Sequence, residues 1–273
     1  MATIRIGLDR LPPAARAAVE SHTGPLLTVE ETAEGFNSEI AARVTSATGT
    51  WHIKGLRTDH PRAWTQCREA AVARFLTGLA PALRWRVKAA GWDLLGFEAL
   101  GGHHADHASG SPDLPEVASF LRRLGETSCP GIELRHAEER LEHYVARPGD
   151  LRFFAGPHLL HTDLNNANVL VDDHAAEGDR ARLVDWAWAT RGAAWLDAGY
   201  WVIWLIAAGH TPASAERWAA EIPSWHTARA EGVTAFAAAN ANVWSEISGA
   251  DPDPWTRRLA AAATAWCAHR RTG

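Results

Sequence analysis

His161-Thr162-Asp163-Leu164-Asn165-Asn166-Ala167-Asn168, running directly into Val169-Leu170-Val171, is the densest polar cluster in an apolar setting along the chain. A polar loop that feeds a short apolar run presents its side chains at the end of a strand. Asp163 and Asn168 stand five positions apart, and seventeen residues beyond Asn168 comes Val184-Asp185-Trp186. Apolar runs at 168–171 and 181–184 flank a polar turn at 172–179, a hairpin pattern that returns Asp185 beside Asn168.

Two carboxylates and an amide oxygen in that relation suit a magnesium–nucleotide site. Mg²⁺ takes hard oxygen ligands and keeps waters and phosphate oxygens in its shell, so two protein groups can hold it while a third faces an incoming hydroxyl. The competing reading is local: Asp and Asn side chains also cap turns through their own backbone.

Working outward, the segment N-terminal to this loop has two textures. Residues 11–20 read as a short helix opened by Pro12 and Pro13. Runs at 26–31, 38–46 and 50–54, separated by short Gly-containing turns, read as an antiparallel meander. Trp64, Arg68, Val72, Phe75 and Leu76 recur at helical spacing within 61–77, with Glu69 on the flank of the stripe. Strand patterns at 84–89 and 92–100 follow, and Gly101-Gly102 ends them. Beyond that point 112–126, 132–147 and the Ala- and Trp-rich stretch from 198 onward read as helices. The expected organisation is therefore α+β, with an N-terminal region 1–101 built on a sheet and a mainly helical region 102–273.

Composition excludes several alternatives. A chain of 273 residues with 47% hydrophobic and 22% charged residues can bury a core without disulfides and is not disordered. A net charge of −5 gives no electrostatic footprint for nucleic acid, so no nucleic-acid partner is expected. Three scattered cysteines fit a reducing compartment. The apolar run at 199–208 is too short to span a bilayer, and no apolar leader follows Met1, so a cytoplasmic protein with no membrane partner is expected. Of the 27 basic residues only Lys54 and Lys88 are lysines, which singles out Lys54 at the end of the third strand run. Lysine offers a phosphate a flexible point charge.

The segment 161–171 resembles the catalytic loop of the aminoglycoside phosphotransferase and choline kinase-like family, relatives of the protein kinases. That loop reads His-Gly-Asp-x-x-x-x-Asn, with Thr162 here in place of Gly and Asn165-Asn166 in place of His-Pro. The 184–186 segment is similar to the family's metal-binding Asp segment. The resemblance implies a two-lobed protein-kinase-like fold, with an antiparallel N-lobe sheet and a helical C-lobe. It implies Asp163 as catalytic base, Asn168 and Asp185 as Mg²⁺ ligands, and Lys54, held by Glu69, on the nucleotide phosphates. Backbone groups of Glu98 and Leu100 would read adenine, and the loop 34–38, ending at Ser38, would cover the phosphates with a single glycine. ATP and Mg²⁺ are the implied cofactors. The implied partner is a small-molecule hydroxyl acceptor, with an aminoglycoside or related antibiotic as one candidate class and choline-like, sugar or amino-alcohol acceptors as the others. Trp186-Ala187 where protein kinases carry Phe-Gly speaks against a regulated protein kinase.

Other features compete for a role. A nucleotide-binding pseudokinase and an interaction protein that keeps only the fold are the alternatives from other classes. His103, His104, Asp106 and His107 are candidate metal ligands without a cysteine among them. Glu216, Glu221, Glu231, Glu246, Asp251 and Asp253 would line a pocket for a polycation, although Arg257, Arg258, Arg270 and Arg271 lie beside them in sequence. Ten of the 14 tryptophans lie from Trp186 onward, either as core or as a cation-binding aromatic wall.

Overall fold

The structure, a computed structural model, describes residues 5–32 and 38–272. The chain forms two compact units: Met1–Gly101 with Arg182–Trp188, and Gly102–Ala181 with Ala189–Gly273.

The first unit opens with α1 (Pro13–Thr23), whose Pro13 occupies the first helical position, where a missing N–H costs nothing. Then come β1 (Leu26–Glu31), β2 (Ile40–Ser46), β3 (Gly49–Arg57), α2 (Ala63–Ala73), β4 (Leu83–Ala89) and β5 (Trp92–Glu98). The strands form one antiparallel sheet in the order β1-β2-β3-β5-β4, the meander read from the sequence extended by a hairpin. Leu11, Ala15 and Val19 pack with Ile40, Val44, Ile53, Trp85 and Leu94 in its core. A Cβ on Gly96 would fall 2.0 Å from the Trp85 ring, so only glycine lets that indole lie on β5. Opposite, α2 is anchored by the buried Gln66, whose amide donates to the carbonyls of Lys54 (3.3 Å) and Asp93 (2.6 Å). This fixes the helix that carries Glu69 against the strand that carries Lys54.

The segment 182–188 packs with this first unit, whereas the sequence pattern leaves it with the helical region. Its backbone is captured by a Leu183 N–H bond to the Leu79 carbonyl at 3.0 Å, and Trp188 stands edge-on to Trp64 at 5.3 Å.

The second unit contains β6 (His103–His104), α3 (Leu114–Gly125), β7 (Arg135–His136), α4 (Ala137–Leu141), β8 (His158–Leu160), β9 (Val169–Val171), the first residue of β10 (Ala181–Leu183), β11 (Thr190–Gly192), α5 (Leu196–Ala207), α6 (Pro212–Ala220), α7 (Ala230–Ser248) and α8 (Pro254–Thr272). The hairpin over 168–184 closes with an Asp172 N–H bond to the Arg180 carbonyl at 3.1 Å. The helix expected over 132–147 shrinks to α4 and a short 3₁₀ turn. Arg135 and His136 are instead paired with β11, and a capping box between His136 and Glu139 starts the helix late. The apolar 199–208 run forms most of the buried α5, and among the described residues no helix is long and apolar enough to cross a membrane. Trp186, Trp195, Trp201 and Trp266 are core residues, while Trp204, Trp244 and Trp255 form a partly exposed trio with centroids 5.8–6.4 Å apart.

Candidate functional site

In the first unit the geometry centres on Lys54. Strand β3 places its ammonium 2.7 Å from Glu69 Oε2 on α2 and 3.1 Å from Asp185 Oδ1. All three side chains are at most 15% exposed. Burial disfavours the ammonium, but the Asp185 and Glu69 carboxylates outweigh it and raise the Lys54 pKa, so the group is cationic at neutral pH. Asp185 sits at φ +62°, a left-handed conformation that aspartate tolerates, and this turns the chain after β10 toward Lys54.

Sequence reading also placed Ser38, Glu98 and Leu100 here. Ser38 is buried two residues before β2, and residues 33–37 of its loop lie outside the described residues. The Glu98 N–H is committed to the Ala82 carbonyl and its carboxylate pairs with Arg84 at 2.9 Å. The Leu100 carbonyl accepts from Arg43 Nη1 at 2.9 Å, while its N–H has no partner among the described residues. A donor at Leu100 is therefore free to meet a ligand acceptor. His52, two positions before Lys54 on the same strand face, has its pKa lowered to about 4 by burial and then by Lys54, Arg5 and Arg43, so it is neutral.

In the second unit the loop 161–168 is held chiefly by hydrogen bonds. Asn168 Nδ2 donates to Asp163 Oδ2 at 2.9 Å, and Asn165 N–H donates to Asp163 Oδ1 at 3.3 Å. A carboxylate only accepts, so the amide nitrogen of Asn168 must face Asp163, and its oxygen is turned away, without a partner among the described residues. Asp163 is half-buried. One loop thus holds both the turn-capping bond of Asp163 onto the Asn165 N–H and the pairing of Asp163 with the Asn168 amide.

Behind it, the buried Asp197 at the start of α5 accepts the N–H groups of His161 (2.9 Å) and Thr162 (2.8 Å). Burial pushes its pKa up to about 6 against these bonds and the nearby Arg140. Thr162 stands at φ +71°, costly for a β-branched residue. Its hydroxyl accepts from Arg140 Nη1 at 2.8 Å, and the same nitrogen reaches Thr190 Oγ1 on β11 at 2.6 Å. Strain of this kind persists where the surroundings over-determine it.

Each unit carries a donor of the kind Mg²⁺ takes, an amide oxygen on Asn168 in the second and a carboxylate on Asp185 in the first, both hard ligands. Among the described residues no three His, Cys, Asp or Glu side chains gather to hold a metal by themselves, which suits an ion that arrives with phosphate oxygens. The histidine-rich stretch is spent otherwise: His103 sits between Asp113 (3.1 Å) and Asp173 (3.4 Å), and His107 bonds the Leu164 carbonyl.

No protein-family profile and no characterised protein matches the chain by sequence. Solved structures do match it. Choline kinase LicA from Streptococcus pneumoniae superposes with a TM-score of 0.63 at 14% identity, covering 93% of this chain and 98% of that one. Its complex with AMP gives 0.61 at 14% identity, over 90% and 92%. A thermostable mutant of aminoglycoside phosphotransferase APH(4)-Ia gives 0.61 at 15%, over 93% and 98%. The fold is that of the small-molecule phosphotransferases. Macrolide 2′-phosphotransferase MphH from Brachybacterium faecium shares this phosphotransferase fold at 0.54 and 19% identity, over 92% and 96%.

Within the phosphotransferase fold, sequence reasoning missed Asp197, Arg140 and Arg43 as supports and took His107, which holds the Leu164 carbonyl, for a candidate metal ligand. Asp197 alone left a trace, a carboxylate among apolar residues at a helix start. The other three act through backbone carbonyls or a hydroxyl and carry no spacing signal.

Proposed function

We propose that the chain is an ATP-dependent phosphotransferase that moves the γ-phosphoryl group to a hydroxyl of a small molecule. The observation that carries this reading is Lys54, one of only two lysines, buried and shared by Glu69 and Asp185. A cation held charged in a dry setting by two carboxylates is ready to meet phosphate oxygens. The fold shared with choline kinase and antibiotic phosphotransferases supports the same class, and the AMP complex of LicA supports an adenine nucleotide.

In this reading the Leu100 N–H meets the adenine edge and Lys54 meets the α- and β-phosphates. Asn168 and Asp185 hold the Mg²⁺, which neutralises phosphate charge when bound. Asp163 orients the acceptor hydroxyl and takes its proton as the new O–P bond forms and the bond to the ADP oxygen breaks. Asp197 keeps the loop 161–168 in place throughout.

For the acceptor, charge recognition has fewer groups than the sequence suggests. Glu216 is bound to Trp266 Nε1 and Arg270, Glu231 pairs with Arg229, and Asp253 caps α8 through Thr256. Glu246 accepts from the Tyr144 hydroxyl at 3.1 Å, so a polycation would rely on Glu221 and Asp251, and its Michaelis constant would rise with salt. The test is a screen of purified protein with Mg-ATP against aminoglycosides, choline-like amines and neutral sugars, read as a mass gain of one phosphate. Nucleotide binding without any such product would favour the pseudokinase. Failure to bind Mg-ATP at all would leave an interaction protein.

A further inference from the structure

The loop 161–168 is gripped from its amide side by Asp197, and one contact grips it from the carbonyl side. His107 Nε2 lies 3.0 Å from the carbonyl oxygen of Leu164, the residue after Asp163. A carbonyl only accepts, so this nitrogen carries the proton. His107 is 4% exposed, and its Nδ1 is buried with no partner among the described residues. Burial lowers its pKa, against the Leu164 bond and the carboxylates of Asp106 and Asp113, so the ring is neutral and its single proton is committed to Leu164.

The ring itself is fixed by its surroundings. Strand β6 pairs with β9, the strand that leaves Asn168, and Ala105 N–H bonds the Val169 carbonyl at 2.9 Å. His210 Nε2 donates to the His107 carbonyl at 3.0 Å, and Trp201 stands edge-on to the imidazole at 6.3 Å. The Asp106 N–H is held by Asp113 at 2.8 Å. The loop bearing His107 is therefore tied to the strand after the phosphotransfer loop, to α5 and to the turn before α6.

We infer that His107, as the Nε2–H tautomer, is a positioning residue for phosphotransfer: by holding the Leu164 carbonyl it sets the direction of the Asp163 carboxylate and of the Asn168 amide that rests on it. This rests on the kinase reading of Asp163. A released Leu164 carbonyl lets the Leu164–Asn165 peptide rotate, and with it the Asn165 N–H that donates to Asp163 Oδ1 at 3.3 Å; a displacement of about 1 Å in a reacting group can cost on the order of 10²-fold in rate. Nucleotide contacts through Lys54 and Leu100 are not touched, so the effect falls on kcat.

Three substitutions separate positioning from packing. The amide nitrogen of Gln reaches as far as imidazole Nε2, that of Asn only as far as Nδ1, and Leu offers no donor. His107→Gln should keep kcat within about threefold of wild type, while His107→Asn and His107→Leu should lose about tenfold to a hundredfold, each with the Mg-ATP Michaelis constant within twofold. Equal rates for Gln and Asn, full activity of Leu, or a Michaelis constant that rises in step with the loss in kcat overturns the inference. If Leu does not fold, the Gln–Asn comparison carries the test unchanged. Two measurements need no turnover, so they stand even if the wild-type chain transfers no phosphate and the kinase reading fails. Ring ¹⁵N shifts of wild type should show Nε2 protonated and Nδ1 bare. Amide exchange at residues 163–168 should quicken in His107→Asn and not in His107→Gln; a protonated Nδ1, or equal exchange in both variants, overturns the contact.

Discussion

The surroundings of Lys54 in the first unit and of Asp163 in the second are built on opposite principles. Around Lys54 three charges are packed against one another with little water, and the arrangement stands because a cation is shared by two carboxylates on different elements. Around Asp163 the loop is held mostly by hydrogen bonds: Asp197 on two N–H groups, His107 on a carbonyl, Arg140 on a hydroxyl. A charge cluster loses its balance when any member is removed, because the remaining charges stay buried. A hydrogen-bonded loop degrades more locally, since each support fixes one peptide or side chain. The surroundings of Lys54 should therefore report their defects in stability, those of Asp163 in rate.

The largest effect tests the surroundings of Asp163 directly. Asp163→Asn should lower phosphotransfer by ~10²–10⁴-fold, the range for loss of a positioned proton acceptor. Mg-ATP affinity by calorimetry should change little, and the unfolding midpoint should stay near wild type. A large drop in stability would mean that Asp163 serves the fold, as turn-capping alone would require.

The surroundings of Lys54 are tested by Lys54→Met, which leaves Glu69 and Asp185 facing each other in a dry site. Breaking a buried pair in this way costs about 3–5 kcal/mol, to be read by urea unfolding at pH 7. The double variant Lys54→Met with Glu69→Gln removes the facing charge and should recover part of the loss. In the single variant the Glu69 carboxyl gains in the folded state by taking a proton, so its deficit should shrink as pH falls toward 5. A deficit independent of pH would show that Lys54 contributes through packing of its alkyl stem instead.

Asp197 sharpens the contrast because its two consequences run in opposite directions. Its folded pKa of about 6 lies above the unfolded value of 3.8. The stability it contributes is therefore fully present below the unfolded pKa and is lost as pH rises through about 6. Relative to Asp197→Asn, which does not titrate, wild type should lose about 1 kcal/mol between pH 5 and pH 7.5, measured by unfolding at both. Turnover should do the reverse. A protonated carboxyl accepts less well from His161 and Thr162, so activity falls as pH drops while this contribution to stability grows. Parallel changes in both would argue that Asp197 does not hold the loop through its charge.

How much of this was legible depended on which principle built each region. The three-stranded meander, the two strands after it and α2 could be read from alternation and helical spacing, although the place of β5 between β3 and β4 could not, and Lys54 stood out because arginine fills nearly every other basic position. Asp163 and Asn168 were legible because both bonding partners lie within one short loop, so spacing carries the geometry. Asp197 is 35 and 36 residues from the amides it holds, and His107 is 57 from its carbonyl. Bonds to backbone leave no constraint on the partner's identity, and hence no pattern to find. The same cause hid the placement of 182–188, which is fixed by a backbone bond from Leu183 to Leu79 and by the pull of Lys54 on Asp185. The shortened α4 escaped because two residues of its expected first turn pair with β11, a tertiary choice that local propensity does not record.

The smallest expected effect tests whether the first unit also contains a support of the hydrogen-bonded kind. Arg43 lies on β2, exposed, and donates to the Leu100 carbonyl just beyond β5. That bond ties down the Leu100–Gly101 peptide, the unit next to the one that carries the Leu100 N–H, and so limits how far that donor can turn. Removing it in Arg43→Ala gives up one solvent-exposed hydrogen bond, a net loss of about 0.5–1 kcal/mol, so Mg-ATP affinity should weaken by roughly two- to fivefold. Because the bond acts on nucleotide position and not on Asp163, kcat at saturating nucleotide should hold. Arg43 also helps to depress the His52 pKa, so in the variant that pKa should rise from about 4 toward its ordinary value, visible by NMR titration of the imidazole. An unchanged Michaelis constant together with a raised His52 pKa would show that Arg43 acts on the sheet's electrostatics alone, and that the path from β5 to Leu100 is held by the chain itself.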